Sequence, residues 1–155
     1  MKAAHQLDNS FISTLRGIVG NDYASTDQEL LTRCASDETE DHIFMPDIVV
    51  RPASTDEVSR VLKLCNEHQI PVTPRGGGTG LSGGALPVKA GVVLLMDRFN
   101  RIINIDEANL QATVEPGVIT EVFQETVKEK GLFYPPDPSS RGTCFLGGNL
   151  AENAG

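Results

Sequence analysis

Six glycines fall within the eleven residues Pro74-Arg75-Gly76-Gly77-Gly78-Thr79-Gly80-Leu81-Ser82-Gly83-Gly84, directly after a segment with strand character. Glycine loses more conformational freedom on ordering than any other residue, so such a cluster implies backbone at positive φ or in close approach to a ligand. Successive exposed N–H groups in a loop of this kind form a concave nest for phosphate oxygens, and the Thr79 and Ser82 hydroxyls add donors. The competing reading is a flexible hairpin or linker. Proline, leucine and alanine in and beside the run favour a fixed shape over a Gly/Ser tether.

A second segment has complementary chemistry. Tyr134-Pro135-Pro136-Asp137-Pro138-Ser139-Ser140 is stiffened by its prolines and poor in N–H donors, which suits a wall. Leu146-Gly147-Gly148-Asn149-Leu150-Ala151-Glu152-Asn153-Ala154-Gly155 again lets backbone come close to something flat or crowded. Together the two segments suggest one extended ligand with a phosphate portion and a planar portion. A proline-rich turn followed by a helix starting at Asn149 is the plainer alternative for the second.

Gly78-Thr79-Gly80-Leu81-Ser82-Gly83 satisfies the GxGxxG expression, and Asp97 follows at about the distance of a ribose-binding acid. Only Gly84 to Ala90, interrupted by Pro87, separates the glycines from the next strand. That is too short for a crossover helix, so the loop is phosphate-binding in character without belonging to a classical dinucleotide fold.

No catalytic or metal-binding residue can be assigned. His5, His42 and His68 lack ligand spacing, and Cys34, Cys65 and Cys144 lack the spacing of a zinc site or a disulfide framework. Asp137, framed by prolines, is read as a turn-supporting acid rather than a general base.

The elements that must carry these segments are legible in the patterning. Phe11, Ile12, Leu15 and Ile18 predict a helix over Asn9 to Val19, capped by Asp8 or Ser10 and stopped by Gly20. Asn21 to Asp47 reads as an irregular connection with at most a short helix near Leu30-Leu31. Ile48-Val49-Val50 predicts a buried strand. Ser54-Thr55-Asp56-Glu57 then caps a helix turning Val58, Val61, Leu62, Leu64 and Cys65 inward, and Ile70 to Thr73 predicts a strand parallel to the first. Gly91 to Met96 predicts a third buried strand, Arg101 to Ile105 and Gln111 to Glu115 a hairpin, and Val118 to Lys130 an amphipathic helix. Gly131 to Gly155 reads as loop-rich.

With 155 residues, 39% hydrophobic and 22% charged, the chain has the composition of an ordinary globular domain. Its formal charge of −8 and the lack of a Lys/Arg cluster argue against nucleic acid as a partner. A phosphate-bearing ligand is still compatible, because backbone N–H groups hold anions without net positive charge. The N-terminus develops no apolar stretch before polar residues intervene, and the longest aliphatic run, Val92 to Met96, is too short to span a bilayer. A cytoplasmic protein without a membrane span is expected, with peripheral attachment at the inner membrane through partners left open.

The order of four motifs makes a resemblance specific: Pro74 to Gly84, Val114-Glu115-Pro116-Gly117-Val118, Pro135-Pro136-Asp137-Pro138-Ser139-Ser140, and Gly147 to Gly155. The chain resembles the FAD-binding domain of the vanillyl-alcohol oxidase and p-cresol methylhydroxylase (PCMH) superfamily, in the branch holding glycolate oxidase flavoprotein subunits and D-lactate dehydrogenases. The resemblance implies an α+β fold of small mixed and parallel sheets flanked by helices. It divides the chain into a lead-in over 1–46 and the first part of a PCMH-type FAD-binding domain over 47–155, with the rest of that domain and a substrate cap expected beyond. It implies that Pro74, Gly76, Gly77, Gly78, Thr79, Gly80 and Leu81, with Ser82 nearby, hold the FAD pyrophosphate. Pro135, Asp137, Pro138 and Ser140 would lie along the cofactor, and Gly147, Gly148, Asn149, Asn153, Ala154 and Gly155 would approach its pyrophosphate and flavin ends. Thr79 stands where some members carry the histidine that attaches FAD, which implies non-covalent flavin. Cys144-Phe145 departs from the smaller or hydroxylated residues common in relatives.

The implied activity of the whole protein is oxidation of a small 2-hydroxy acid to the 2-oxo acid, with electrons passed to a partner subunit or quinone. Rival readings are an enzyme of the same fold with other chemistry, as in alkyl-dihydroxyacetone-phosphate synthases or cell-wall reductases, and a non-catalytic FAD-binding module.

Overall fold

The computed structural model describes residues 7–154, so His5 and Gly155 lie outside the described residues. The first unit is a four-stranded sheet built from β1 (Ala24–Ser25), β2 (Ile48–Val50), β3 (Val72–Arg75) and β4 (Val92–Leu95), in the order β1-β2-β4-β3. β4 runs parallel to both β2 and β3, with Ile48 and Val72 each opposite Val92, and β1 is antiparallel on β2. Every residue of β2 and β4 is buried, as expected of parallel strands covered on both faces.

Strand alternation divides these side chains between two cores. Ile48, Val50, Val92 and Leu94 face α1 (Asn9–Val19) and α3 (Thr55–Glu67), where Phe11, Leu15, Val19, Val61 and Cys65 complete one cluster. Val49, Val93 and Leu95 face the other way, onto Leu31 and Cys34 of α2 (Gln28–Cys34). The lead-in therefore supplies helices to both faces of the sheet and a strand to its edge.

The capping chemistry behaves as read. Asp8 accepts from the Phe11 N–H and Ser54 from the Glu57 N–H, while Gly20 ends α1 at a φ of 95°. Three expectations are corrected. Leu62 points outward at 44% exposure, because a helix crossing a sheet buries a narrower stripe than its apolar count suggests. The strand expected at Ile70 to Thr73 is displaced to Val72–Arg75 and carries Pro74. Proline is tolerated there because β3 is an edge strand and its neighbours Thr73 and Arg75 face β4, as the bonds from Val92 N–H to Pro71 O and from Met96 N–H to Arg75 O show. β1 has no counterpart in the sequence patterning, since two residues carry no periodicity.

The second unit is the hairpin of β5 (Ile102–Asp106) and β6 (Gln111–Val114) packed on α4 (Thr120–Lys128). Val118, Phe123, Val127 and Leu146 form its core, and Phe123 meets Tyr134 edge-on at 5.0 Å. α5 (Leu146–Glu152) replaces much of the loop expected after Gly131 and begins earlier than Asn149. Two glycines in its first turn masked the helical pattern.

Glu115 closes the open end of the hairpin. It is 7% exposed, and its carboxylate accepts from the Arg101 backbone N–H at 2.8 Å and from the guanidinium at 2.7 and 3.0 Å. The Arg101 guanidinium holds the Glu115 carboxyl below its ordinary value of 4.5. A depressed carboxylate pKa contributes stability above the unfolded value, lost as pH falls through the folded one. The melting-temperature gap between wild type and Glu115→Gln is accordingly expected to be fully open at pH 7 and to close as pH drops below 4.5.

Candidate cofactor site

The glycine run begins where β3 ends. Arg75, the last residue of that strand, is 7% exposed and turns its guanidinium under the loop. There it donates to the carbonyls of Ser36 at 2.8 Å and Arg33 at 3.2 Å. Gly78 crosses directly above with a φ of 74°, and a Cβ at that position would overlap the Arg75 guanidinium. Glu38 N–H donates to Gly80 O at 3.2 Å, so the loop rests on residues 33–38. Two buried oxygens in and beside that support, Asp37 Oδ2 and Thr39 Oγ1, have no partner among the described residues.

The second segment is held beside the loop by a short zipper. Thr120 N–H donates to Cys144 O, Leu146 N–H to Val118 O and Gly147 N–H to Pro116 O, at 3.1, 2.9 and 2.9 Å. This brings Thr143 to Gly147 against the first loop. The Phe145 ring lies 3.5 Å from where a Gly76 Cβ would be, and a Gly77 Cβ would strike the Thr143 carbonyl oxygen. On the far side Ser82 Oγ donates to Glu152 Oε2 at 2.7 Å. The two glycine-bearing segments are thus neighbours, as a single extended ligand would require.

Among the described residues, no backbone N–H from Gly76 to Ala85 donates to a protein acceptor. That row of free donors, on a loop whose shape is fixed from below and from the side, matches the needs of a diphosphate. The donors fit the group better than any charged side chain in the loop, since Arg75 is turned away into the protein.

Other expected site residues have different surroundings. Pro136 O accepts from Gln124 Nε2 at 2.7 Å, and Asp137 pairs with Arg141 at 2.9 Å across one turn, consistent with a supporting acid. Ser140 O receives the Thr143 and Cys144 N–H groups, both at 2.8 Å, and Pro138 O that of Arg141 at 2.9 Å. Pro135 is exposed. Asn149 is buried and its amide donates to Thr120 Oγ1 at 2.6 Å, which commits that side chain internally. Asn153 ends α5 in the left-handed region at a φ of 51°, and Ala154 N–H returns to Asn149 O at 2.8 Å. Gly148 is exposed with nothing near its missing Cβ. Asp97 is taken by a bidentate pair with Arg51, with contacts of 2.6 to 3.1 Å, and so is not a ribose ligand.

Sequence reasoning missed Arg75 and Phe145, the two side chains that shape the loop. Arg75 had a signal: a long cation leading a glycine run needs somewhere to go. An apolar recess of about 490 Å³ between the hairpin, α4 and α5, lined by Phe123, Leu146 and Leu150, holds none of the loop residues.

The comparisons agree with this geometry. Residues 46–155 match the family described as FAD binding domain, and the chain belongs to that family. It is 53% identical over 119 residues to the glycolate oxidase subunit GlcD of Bacillus subtilis (strain 168), covering 77% of this chain and 25% of the relative. Identity to the GlcD subunit of Escherichia coli (strain K12) is 41% over 139 residues, 89% of this chain and 28% of that one. The D-lactate dehydrogenase of Anaerostipes hadrus is 42% identical over 110 residues, 71% and 23% of the two chains. Among solved structures, p-cresol methylhydroxylase with substrate bound superposes with a TM-score of 0.84 at 26% identity, covering 94% of this chain and 29% of that one. An alkyldihydroxyacetonephosphate synthase reaches 0.85 at 23% identity over 94% of this chain and 29% of its own, a likeness of fold. The chain thus spans between a fifth and a third of the length of these relatives. The expected α+β architecture of PCMH type is present. No helix among the described residues is long and apolar enough to cross a membrane.

Proposed function

We propose that this chain is the FAD-holding part of a flavin-dependent oxidoreductase that converts a small 2-hydroxy acid, of glycolate or D-lactate type, to the 2-oxo acid. The row of unengaged N–H groups from Gly76 to Ala85, braced by Arg75 and the Thr143 carbonyl, is the observation that carries the cofactor role. In this reading Pro74, Gly76 to Ser82, Gly147 and Gly148 hold the pyrophosphate, and Pro135, Asp137, Pro138 and Ser140 line the cofactor. Asn149 contributes by fixing α5, and Asn153, Ala154 and Gly155 belong to the cofactor's surroundings in the same reading. Bound flavin supplies the redox chemistry, and the chain's residues bind and orient it. Thr79 offers no imidazole for attachment, so the flavin is held non-covalently. The similarity to GlcD and D-lactate dehydrogenase sequences favours 2-hydroxy acids over the chemistry of the alkyldihydroxyacetonephosphate synthase, which shares the fold at lower identity. Those GlcD relatives are subunits, which favours a protein working beside a partner chain; in this reading the partner accepts the electrons and the protein is cytoplasmic.

The full-length protein is expected to purify yellow, to release all its flavin into the supernatant on acid precipitation, and to be bleached by one member of a panel of glycolate, D-lactate, L-lactate and D-2-hydroxyglutarate. Flavin retained in the acid pellet would overturn the non-covalent assignment. A colourless protein that takes up no added FAD would overturn the cofactor role, and a yellow one that none of the four acids bleaches would overturn the substrate class.

A further inference from the structure

Arg75 is buried, and no carboxylate among the described residues forms an ion pair with it. Its guanidinium is satisfied by carbonyls alone: Ser36 O at 2.8 Å, Arg33 O at 3.2 Å, and longer approaches to Cys34 O at 3.4 Å and Ala85 O at 3.5 Å. Arg33 and Cys34 end α2, and the last carbonyls of a helix lack intrahelical partners. The fork thus closes a helix end from a distant strand. A helix C-terminus offers at most about half an elementary charge, so the carbonyls do not neutralise the cation. Burying a charge without a counter-charge is costly and is rarely retained without a partner. The backbone of Gly78 passes directly over the guanidinium, within the stretch of free N–H donors.

We propose that Arg75 is a positioning residue for the diphosphate of FAD: it pins the glycine loop to the end of α2 and leaves beneath the loop one positive charge whose counter-ion is the ligand. It acts through the loop rather than by touching the phosphates. The inference rests on the reading that Gly76 to Ser82 hold the pyrophosphate.

The test uses full-length apoprotein and three probes: FAD, ADP and adenosine. In Arg75→Met, FAD and ADP are each expected to bind about 30-fold more weakly, the scale of a charge-assisted interaction, while adenosine stays within about twofold. Arg75→Lys keeps the charge and loses the fork, so it should retain the preference for ADP over adenosine with a smaller loss of FAD affinity. Arg75→Gln takes the place of Arg75→Met should the latter not fold, and the same loss of ADP preference is expected. A neutral variant that keeps the wild-type ratio of ADP to adenosine affinity overturns the inference, whether both affinities stay high or fall together. Gly77→Ala separates the two levels. If it leaves FAD affinity unchanged, the loop reading itself fails. If it loses FAD while the neutral variants keep their ADP preference, only the role of Arg75 fails.

Discussion

Alanine at position 77 is expected to cost the full-length protein its FAD. The added Cβ would run into the Thr143 carbonyl oxygen and lie 3.3 Å from its carbon and 3.4 Å from Cys144 Cα. All of these are backbone atoms, so no side-chain rotation relieves the overlap. Nor is Thr143 free to retreat: its N–H is bonded to Ser140 O at 2.8 Å, and the next carbonyl, Cys144 O, takes the Thr120 N–H at 3.1 Å. The loop must therefore lift away from residues 143–145. Overpacking of this kind costs about 3 kcal/mol, which corresponds to a more than hundredfold weaker FAD complex if the cost falls on the bound state. Flavin fluorescence during titration of apoprotein measures it. Gly17→Ala is the control, because nothing lies within 4 Å of its missing Cβ and a helix-interior glycine gains stability from alanine. FAD affinity in Gly77→Ala within a few-fold of wild type would show that the contact between the two segments does not shape the site.

The second large effect is expected at Thr120, which lies far from the glycine loop in sequence and is fully buried. Its hydroxyl accepts the Asn149 amide at 2.6 Å and touches Cys144 Sγ at 3.1 Å, joining α4, the zipper and α5 through one oxygen. Valine has the same shape without that oxygen, so Thr120→Val strands a buried amide donor. An unsatisfied buried donor costs about 2 kcal/mol. For a domain of this size the melting temperature should fall by about 5 °C, whereas Thr120→Ser, which keeps the oxygen and loses one buried methyl, should fall by about half as much. Thermal melts of the apoprotein decide between them; a valine variant as stable as the serine one would mean that the Asn149 amide finds another acceptor.

The contrast between these sites shows what the amino-acid order makes legible. The unbroken apolar runs Ile48–Val50 and Val92–Leu95 point to strands buried on both faces, and the helical period within Thr55–Glu67 points to a single apolar stripe. The glycine run is legible because its composition is too costly to be accidental. What the order hides is contact between distant segments. Nothing in Asn149 says that its amide turns inward to Thr120, and nothing in Gly77 says that Thr143 lies against it. α5 was obscured for the opposite reason: its local propensity is poor, and the zipper with Pro116 to Thr120 supplies what propensity lacks. The connection around Gln28–Cys34 looked incidental because its value lies in carbonyls that Arg75 uses, and backbone groups leave no mark on composition.

That last bond also orders events in time. Every protein group that holds the Arg75 fork belongs to residue 85 or earlier, and the sheet that carries it is complete at Leu95. A ribosome synthesising this chain therefore makes all of the fork's supports before the zipper segments at 116–120 and 143–147. The floor of the loop can form on the nascent chain while its side wall does not yet exist, and the cofactor cradle is finished only when Thr143 arrives to close over Gly77.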